Sequence, residues 1–352
     1  MKKLHNVVGI MSGTSLDGVD FVLVEFFKEI KWHFKLISSS TYPYPKNIYD
    51  KLKNSSSLRF NDIKSLDQLY TTYLSKQIIK FLKENNEYEI DFISSHGHTV
   101  LHQPNKGITY QIGNLPILAK LINKKVICDF RSKDVELGGQ GAPLVPVGEI
   151  KLFNQLNTFI NLGGFANITV KDKKKIIAYD ICPANLILNL LANKLNMSCD
   201  KNGELASKGK LIPELDRKLD DISFFKLKPP KSLGFEWVKE NILPIFEIYY
   251  KNSINDILNT YTIFIAKQIS YSLRGRKEAL FTGGGTYNSF LIEQIKKRTS
   301  CIISIPEQKI INFKEAMIFA FLGVLRDQNK VNCLASVTGA KINHSSGNIF
   351  LP

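Results

Sequence analysis

The sequence has few of the features that mark membrane, secreted or nucleic-acid-reading proteins. No stretch approaches the 18 apolar residues of a membrane span, and the apolar run at residues 7–11 is too short for a secretion signal. Five scattered cysteines form neither a disulfide framework nor a CxxC metal pair. Only 7 of the 47 basic residues are arginine, so guanidinium groups that read bases or clamp phosphates are sparse. We expect a cytoplasmic protein without a membrane partner.

The composition is that of a globular protein with a sizeable core. Its 352 residues are 44% apolar and 22% charged, and a chain of this length predicts about two domains. The net charge of +15 would suit an anionic partner such as nucleic acid. The lysines are dispersed along the chain, however, which favours a solvated surface. We therefore expect no nucleic-acid partner.

The hydrophobic pattern predicts an α/β protein whose second half repeats the first. Each half opens with a strand, a glycine turn and two more strands. The first half is predicted as strands 6–11, 19–27 and 32–38, helix 61–84, strand 91–94, helix 115–122 and strand 125–129. The second is predicted as strands 158–162, 165–170 and 175–179, helices 184–194 and 252–273, strand 279–282, helix 287–298, strand 301–305 and helix 313–325.

Three glycine-rich turns are candidates for nucleotide binding. They lie at Gly9–Asp20, Asn161–Thr169 and Phe281–Thr286. Turns of small residues allow backbone N–H groups to approach a phosphate closely. Each could also be ordinary turn chemistry, and Asp17-Gly18 would suit a type I′ hairpin. Their occurrence at matching positions of two similar halves favours binding.

Seven strings resemble the anhydro-N-acetylmuramic acid kinase family, of the superfamily that includes actin, chaperone ATPases and sugar kinases. They are GIMSGTSLDGVD (9–20), SSHGHTVLHQP (94–104), DFRSKDVELGGQGAPLVP (129–146), NLGGFANIT (161–169), PPKSLG (229–234), FTGGG (281–285) and VTGA (337–340). The resemblance implies two similar actin-like (ribonuclease H-like) domains flanking a nucleotide cleft. We place them at residues 1–131 and 132–339, with the tail 340–352 packing on the first.

The resemblance also implies an activity. It is the ATP- and Mg²⁺-dependent opening of a small anhydro amino sugar, 1,6-anhydro-N-acetylmuramic acid, with phosphorylation of its 6-oxygen, in cell-wall recycling. A homodimer is expected on the same ground.

The predicted site residues follow from the matching strings. Asp180 is the expected catalytic base. ATP is assigned to Gly13, Thr14, Ser15, Leu16, Asp17, Gly18, Val19, Asp20, Gly163, Gly164, Asn167, Gly283, Gly284 and Gly285. The sugar is assigned to Ser12, Thr99 and Arg131, and Mg²⁺ to Glu315 through water.

Simpler interpretations exist for several of these residues. Asp180 could cap a helix, although an ionised carboxylate after a strand also suits a base. The string that begins at Asp180, DICPAN, replaces a threonine and two glycines of the family's DTGPGN, which puts fine substrate geometry in doubt. Arg131 could fork onto the lactyl carboxylate of a muramic sugar or pair with Asp129, Asp134 or Glu136. Glu315 could simply favour a helix N-terminus.

The remaining polar candidates are less specific. Thr99 could contact sugar or be a plain surface threonine. His96, His98 and His102 have spacings that suit zinc poorly, so we expect hydrogen-bonding roles. Two other functions are possible, namely an actin-like ATPase that couples nucleotide state to partner binding and a basic nucleic-acid-binding protein.

Overall fold

The computed structural model describes residues 4–13, 16–55, 58–173, 175–229 and 231–352. They form two compact units. The first unit comprises residues 1–154 and 313–352, and the second comprises residues 155–312. Within the described ranges, no helix has the length and apolar character needed to cross a membrane.

Both units contain strands and helices, and each opens with three consecutive strands. The strands are β1 Leu4–Ser12, β2 Val19–Lys28, β3 Trp32–Tyr42, β4 Phe92–Gln103, β5 Ile108–Ile112, β6 Val126–Cys128, β7 Thr158–Leu162, β8 Phe165–Asp172, β9 Lys175–Pro183, β10 Glu278–Thr282, β11 Ile302–Ser304 and β12 Asn348–Phe350. The helices are α1 Lys46–Lys53, α2 Phe60–Glu84, α3 Ile117–Ile122, α4 Ser132–Glu136, α5 Val145–Leu152, α6 Asn185–Asn193, α7 Glu204–Lys208, α8 Pro213–Asp220, α9 Ser223–Lys226, α10 Phe235–Asn241, α11 Leu243–Tyr249, α12 Ile254–Ser272, α13 Ser289–Lys296, α14 Gln308–Asp327 and α15 Ala335–Thr338.

The sheet of the first unit has the order β12-β6-β4-β1-β2-β3, with β5 paired to β4. Strands β1, β2 and β3 are antiparallel neighbours, whereas β4 runs parallel to both β1 and β6. Helix α2 covers one face because its apolar side chains recur every three or four residues. These buried positions are Ile63, Leu66, Tyr70, Leu74, Ile78 and Phe81. Helix α14 packs so closely on β1 that a Cβ at Gly9 would lie 2.2 Å from the Ala316 carbonyl oxygen.

The sheet of the second unit repeats this order with shorter strands. It reads β11-β10-β7-β8-β9, in which β7, β8 and β9 are antiparallel and β10 runs parallel to β7 and β11. Helix α12 forms the centre of the packing, since Tyr261, Phe264 and Ile265 are fully buried in the core of this unit. Both units thus carry three antiparallel strands followed by two parallel ones, which is the ribonuclease H-like order. The α/β fold with two similar halves is confirmed.

The unit boundaries differ from the predicted junctions at residues 131 and 339. The first unit extends to Asn154 because α5 contacts β3, with Phe34 and Phe153 in edge-to-face contact. The chain rejoins that unit at Phe313 because α14 packs on β1 and β4. Strand β12 pairs with β6, so the tail also belongs to the first unit.

Several elements are longer than the periodicity predicts. Strand β4 runs to Gln103 through the His-rich string rather than ending at residue 94, because β5 pairs with its second half. Helix α14 begins at Gln308 rather than at residue 313. Residues 131–146, for which the pattern predicts no element, contain α4 and the start of α5. Helix α1 and strand β5 were not predicted at all.

Candidate functional site

The second glycine turn joins β7 to β8 and is anchored to the start of α6. The Gly164 carbonyl accepts hydrogen bonds from the backbone N–H groups of Ala184 and Leu186, at 2.7 and 3.2 Å. The Gly163 carbonyl accepts from the N–H of Asn185 at 3.2 Å. The carbonyls of this turn are therefore occupied by the helix that follows β9. These hydrogen bonds fix the backbone of the turn, and its two residues, both glycine, have no side chain.

The third glycine turn, after β10, packs against the second. A Cβ at Gly283 would lie 2.7 Å from Asn161 Oδ1, and Gly283 has a φ of +85° that other residues rarely adopt. A Cβ at Gly285 would lie 2.7 Å from that of Leu162. Gly284 is different, because it is exposed and no atom of the described residues lies within 4 Å of its Cβ position. The fold therefore requires glycine at 283 and 285, but packing gives no reason for glycine at 284.

Asp180 lies near the end of β9 with one carboxylate oxygen anchored. Its Oδ2 accepts from the Leu233 N–H at 2.9 Å and from the Ser232 hydroxyl at 3.1 Å, while its own N–H donates to the Lys231 carbonyl. No described residue donates to Oδ1. Burial raises the pKa of Asp180, and the hydrogen bonds from Leu233 and Ser232 oppose that rise.

Asp180 is not a helix cap, since α6 begins at Asn185 with Ala184 at the N-cap position. It instead ends a row of polar residues across three strands, in which Asn161 pairs with Asn167 and Asn167 pairs with Asp180. The sequence pattern missed Ser232 as a functional residue. The PPKSLG string was visible, but nothing in it indicated that it would hold Asp180.

The first glycine turn is not a two-residue hairpin. The antiparallel ladder of β1 and β2 ends at the pair Ser12 and Val19, so the loop spans residues 13–18 and the type I′ interpretation is wrong. Gly13 and Leu16 are joined by a backbone hydrogen bond, and Thr14 and Ser15 lie outside the described residues. A Cβ at Gly18 would lie 2.7 Å from the Tyr42 carbonyl oxygen, so β3 requires this glycine.

The carboxylate of Asp20, which follows this turn, is affected by the charges of two other carboxylates, those of Asp17 and Glu315. Thr41 donates to Asp20 Oδ1 at 2.6 Å. Burial raises the pKa of Asp20, and the negative charges of Glu315 and Asp17 raise it further. Glu315 is exposed and lies two turns inside α14, so it does not serve the helix N-terminus. Oxygen ligands grouped in this way suit a hard divalent cation bound through water.

Ser12 belongs to a buried hydrogen-bond network that the sequence did not predict. Its hydroxyl lies 2.7 Å from His98 Nδ1 and 2.5 Å from the Tyr44 hydroxyl. Tyr44 in turn lies 3.4 Å from the Tyr70 hydroxyl. Burial lowers the pKa of His98 to about 4, so its ring is neutral at pH 7. Strands β1 and β4 place Ser12 beside His98, which explains why the contact spans 86 positions of sequence.

Arg131 is held by neutral acceptors and not by the carboxylates considered as alternatives. Its Nε donates to His96 Nε2 at 2.9 Å, and its Nη1 donates to the Gly141 carbonyl at 2.8 Å. No described carboxylate lies within ion-pair distance of the guanidinium. His96 presents Nε2 as an acceptor because its Nδ1 donates to the Gly97 carbonyl. The positive charge of Arg131 therefore remains available to an anion.

The remaining predicted polar residues, Thr99 and His102, are paired with residues of β5. Thr99 is partly exposed on β4, opposite Gln111 of β5. His102 Nδ1 lies 3.1 Å from the Thr109 hydroxyl. His96, His98 and His102 thus each have a different partner, in agreement with the expected hydrogen-bonding roles.

Comparison with known proteins identifies one family over nearly the whole chain. The family model for anhydro-N-acetylmuramic acid kinase matches residues 5–352. Two proteins described as anhydro-N-acetylmuramic acid kinase, from Bacillus cereus strains Q1 and ATCC 10987, are 33% and 34% identical to this chain. Both alignments cover 98% of this chain and 99% of the relative. Component A of (R)-2-hydroxyglutaryl-CoA dehydratase from Acidaminococcus fermentans matches with a TM-score of 0.46 and 13% identity, over 90% of this chain and 96% of that one.

Proposed function

This chain belongs to the anhydro-N-acetylmuramic acid kinase family, and from that premise we propose that Asp180 is its catalytic base. The enzyme is a sugar kinase that uses ATP. Its substrate is 1,6-anhydro-N-acetylmuramic acid and its product is N-acetylmuramic acid 6-phosphate, a step of cell-wall recycling. We also propose the cytoplasm as its compartment.

The reaction combines hydrolysis with phosphoryl transfer. Asp180 takes a proton from a water molecule, whose oxygen forms a bond to the anomeric carbon of the sugar. The bond between that carbon and the bridging 6-oxygen breaks. The freed 6-oxygen forms a bond to the γ-phosphorus of ATP, and ADP leaves. The ring opening creates the acceptor that an ordinary sugar kinase finds already present on its substrate.

The observation that carries the role of Asp180 is the asymmetry of its carboxylate. Leu233 and Ser232 hold Oδ2 and thereby fix the orientation of the group, while Oδ1 has no described donor. A general base needs a fixed carboxylate with one oxygen open to the proton that it accepts. Both hydrogen bonds favour the ionised form of Asp180 and so oppose the effect of burial on its pKa.

The glycine turns suit the phosphates of ATP. Gly163 and Gly164 form a rigid turn without side chains, and Gly284 is a glycine whose Cβ position is empty. Backbone N–H groups in such turns bind phosphate oxygens at short range. We propose the same role for residues 13–18. The remaining members of the proposed ATP set are Val19, Asp20, Asn167, Gly283 and Gly285.

Asp20 and Glu315 are the residues that would hold Mg²⁺, with Asp17 nearby. Burial is the main reason that the pKa of Asp20 is raised, and the negative charges of Glu315 and Asp17 add to that rise; a divalent cation would offset their repulsion. When bound, Mg²⁺ neutralises charge that develops on the transferring phosphoryl group. Thr41 orients Asp20 for this role by donating to Oδ1.

Arg131 and Ser12 are the proposed sugar contacts. A guanidinium without a paired carboxylate suits the lactyl carboxylate of the substrate. His98 and Tyr44 hold the Ser12 hydroxyl in one position, so it can hydrogen-bond a sugar without first losing rotamer freedom. Thr99 remains a proposed sugar contact as well.

Turnover in ¹⁸O-water tests the mechanism. We expect one ¹⁸O on the new anomeric hydroxyl and none on the 6-oxygen, measured by mass spectrometry of a promptly quenched product. Label in the released phosphate would mean that water attacks phosphorus, as in an actin-like ATPase. Unlabelled 6-phosphorylated sugar would mean that a free hydroxyl was the acceptor.

The variant Asp180→Asn tests the assignment of the base. The amide is nearly isosteric with the carboxylate but cannot accept the proton, so we expect kcat to fall by about 10²–10⁴-fold. ATP binding should be unchanged. A variant with at least a third of the wild-type turnover would refute the role of Asp180.

The homodimer expected from the resemblance is a further part of this proposal. Light scattering coupled to size-exclusion chromatography should give twice the mass of one 39.9 kDa chain. A monomer at micromolar concentration would contradict it.

A further inference from the structure

Three buried side chains with metal-ligand chemistry meet outside the proposed active-site residues. They are Asp134 of α4, Cys333 before α15 and His344 after it. Their exposed fractions are 0%, 1% and 5%, and one ligand atom of each lies within 4.8 Å of the other two. Asp134 Oδ1 lies 3.0 Å from Cys333 Sγ and 3.6 Å from His344 Nε2. The proposed reaction uses none of the three.

His344 directs an unpartnered nitrogen into this cluster. Its Nδ1 lies 3.1 Å from the Ile342 carbonyl, and because a carbonyl only accepts, Nδ1 carries the hydrogen. The other ring nitrogen, Nε2, is buried and has no hydrogen-bond partner among the described residues. It faces an oxygen of Asp134 at 3.6 Å, which is longer than a hydrogen bond.

The same ring geometry is typical of metal-bound histidine. Such a ring donates its other N–H to a carbonyl or carboxylate, which fixes the tautomer and the ring orientation. A cation between His344 Nε2 and Asp134 Oδ1 would give Nε2 the partner that it lacks among the described residues.

The backbone holds the three side chains in place. Cys333 and His344 face each other in an isolated antiparallel bridge, with hydrogen bonds in both directions at 3.1 Å. Asp134 Oδ2 accepts from the Gly141 N–H at 2.7 Å, and the Thr338 hydroxyl donates to Oδ1 at 2.7 Å. Gly139 leaves room for this carboxylate, because a Cβ there would lie 2.2 Å from Asp134 Oδ2.

We propose that Asp134, Cys333 and His344 form a structural zinc site. A thiolate and an imidazole favour Zn²⁺ over Mg²⁺ or Ca²⁺, and zinc accepts a carboxylate as well. Zinc–ligand bonds of about 2.0–2.3 Å in a tetrahedron imply ligand separations of about 3.3–3.6 Å. Asp134 Oδ1 now lies 3.0 Å from Cys333 Sγ and 3.6 Å from His344 Nε2. Water or the Thr338 hydroxyl would take the fourth position.

Zinc binding would release one proton. Cys333 Sγ donates its hydrogen to Asp134 Oδ1 at 3.0 Å, so the metal-free site holds a thiol. On binding, the S–H proton goes to solvent and the sulfur–zinc bond forms, with no change of oxidation state. Affinity for zinc should therefore rise with pH.

The site would stabilise the loop that holds Arg131. Gly141 donates its N–H to Asp134 and accepts from Arg131 through its carbonyl. One residue, Gly141, thus links the zinc cluster to a proposed sugar-binding residue. The cluster also ties α4 to the segment around α15, which lies 199 positions later in sequence.

Titration of metal-stripped full-length protein with ZnCl₂ against a chromophoric chelator tests the proposal. We expect one zinc per chain, and with CoCl₂ in its place a thiolate-to-cobalt charge-transfer band. The variants Cys333→Ser and His344→Gln should lose affinity by more than the 10–100-fold typical of an outer-shell partner. Cys301→Ser, which removes another buried cysteine, should bind zinc like the wild type.

The wild-type titration decides the matter even if a variant fails to fold. Binding of less than about a tenth of an equivalent at micromolar free zinc would refute the site. Equal affinity in the wild type and both ligand variants would also refute it. In either case the cluster would be a hydrogen-bonded structural contact only.

Discussion

At the scale of single residues, the proposed active site depends on groups that are fixed on one side and open on the other. Asp180 has one anchored carboxylate oxygen, and Arg131 has two donors bound to neutral acceptors. Because neither is neutralised by an ion pair, each keeps its charge for a ligand. The fixed side lowers the entropy lost when that ligand binds.

Replacement of Ser232 by alanine should shift the pH profile. The Ser232 hydroxyl stabilises the ionised form of Asp180, so its loss should raise the pKa of that carboxyl further. Since the base must be ionised, the acid limb of kcat/KM should move to higher pH, with the plateau little changed. Ser272→Ala, which removes a hydroxyl bonded to the Gln268 carbonyl, is the control. An unshifted acid limb in the Ser232 variant would contradict the coupling.

Arg131→Lys should weaken use of the muramic sugar. An ammonium cannot reproduce a bidentate contact, and a charge-assisted hydrogen bond is worth about 1.5–3 kcal/mol, so KM for the sugar should rise about 10–100-fold. KM for ATP should stay the same. Arg326→Lys is a matched control, because Arg326, like Arg131, donates to the backbone carbonyl of a glycine, that of Gly347. Equal kinetics in the two variants would leave Arg131 with a structural role.

At the scale of elements, the glycines of one turn are glycine for different reasons. The third glycine turn needs Gly283 for its positive φ and for contact with Asn161, whereas Gly284 has empty space around it. A glycine that packing does not require is a candidate for close approach by a ligand.

Gly284→Ala should separate binding from folding. We expect an unchanged midpoint of thermal unfolding and a Kd for ATP raised by about 10-fold, as an intruding methyl group costs about 1–3 kcal/mol. Gly283→Ala should instead destabilise the fold, because its φ of +85° strains any side chain. Calorimetry measures both quantities. Unchanged ATP affinity in the Gly284 variant would remove this turn from the nucleotide site.

A buried ion pair joins α5 to α14. Lys314 Nζ lies 2.6 Å from Glu149 Oε1, and the two side chains are only 4% and 3% exposed. Lys314→Met should lower the free energy of unfolding by about 3–5 kcal/mol, because it leaves the Glu149 charge buried and unpaired. The double variant Lys314→Met, Glu149→Leu should be clearly more stable than the single one. Urea unfolding that shows the double variant to be the less stable would contradict this account.

At the scale of the whole molecule, one strand order is used twice, and each unit has its own core. Tyr70 is fully buried in the core of the first unit and Tyr261 in that of the second. Ligands that bind only the folded state stabilise it, so we expect ligand binding to raise the free energy of unfolding.

A non-hydrolysable ATP analogue with Mg²⁺ should stabilise the protein. At 100 times its Kd, the gain in unfolding free energy should be about 2.7 kcal/mol. Gly13→Val should lose most of this gain, because a branched side chain would lie where the backbone must approach phosphate. Differential scanning calorimetry with and without the analogue measures the gain. The same gain in a folded Gly13→Val protein would exclude the first turn from ATP binding.

The sequence by itself determined the α/β class, the duplicated strand order, the glycine turns and the family, because these depend on periodicity and on contiguous strings. Only the tertiary structure decided which residues anchor Asp180 and Ser12, and which side chains meet Asp134 in the proposed zinc site. Leu233 anchors Asp180 from 53 positions away, and Ser12 meets His98 across 86 positions. The meeting of Asp134 with Cys333 spans 199 positions. Contacts between residues so far apart arise from strand pairing and loop packing, which leave no periodic pattern in either segment alone.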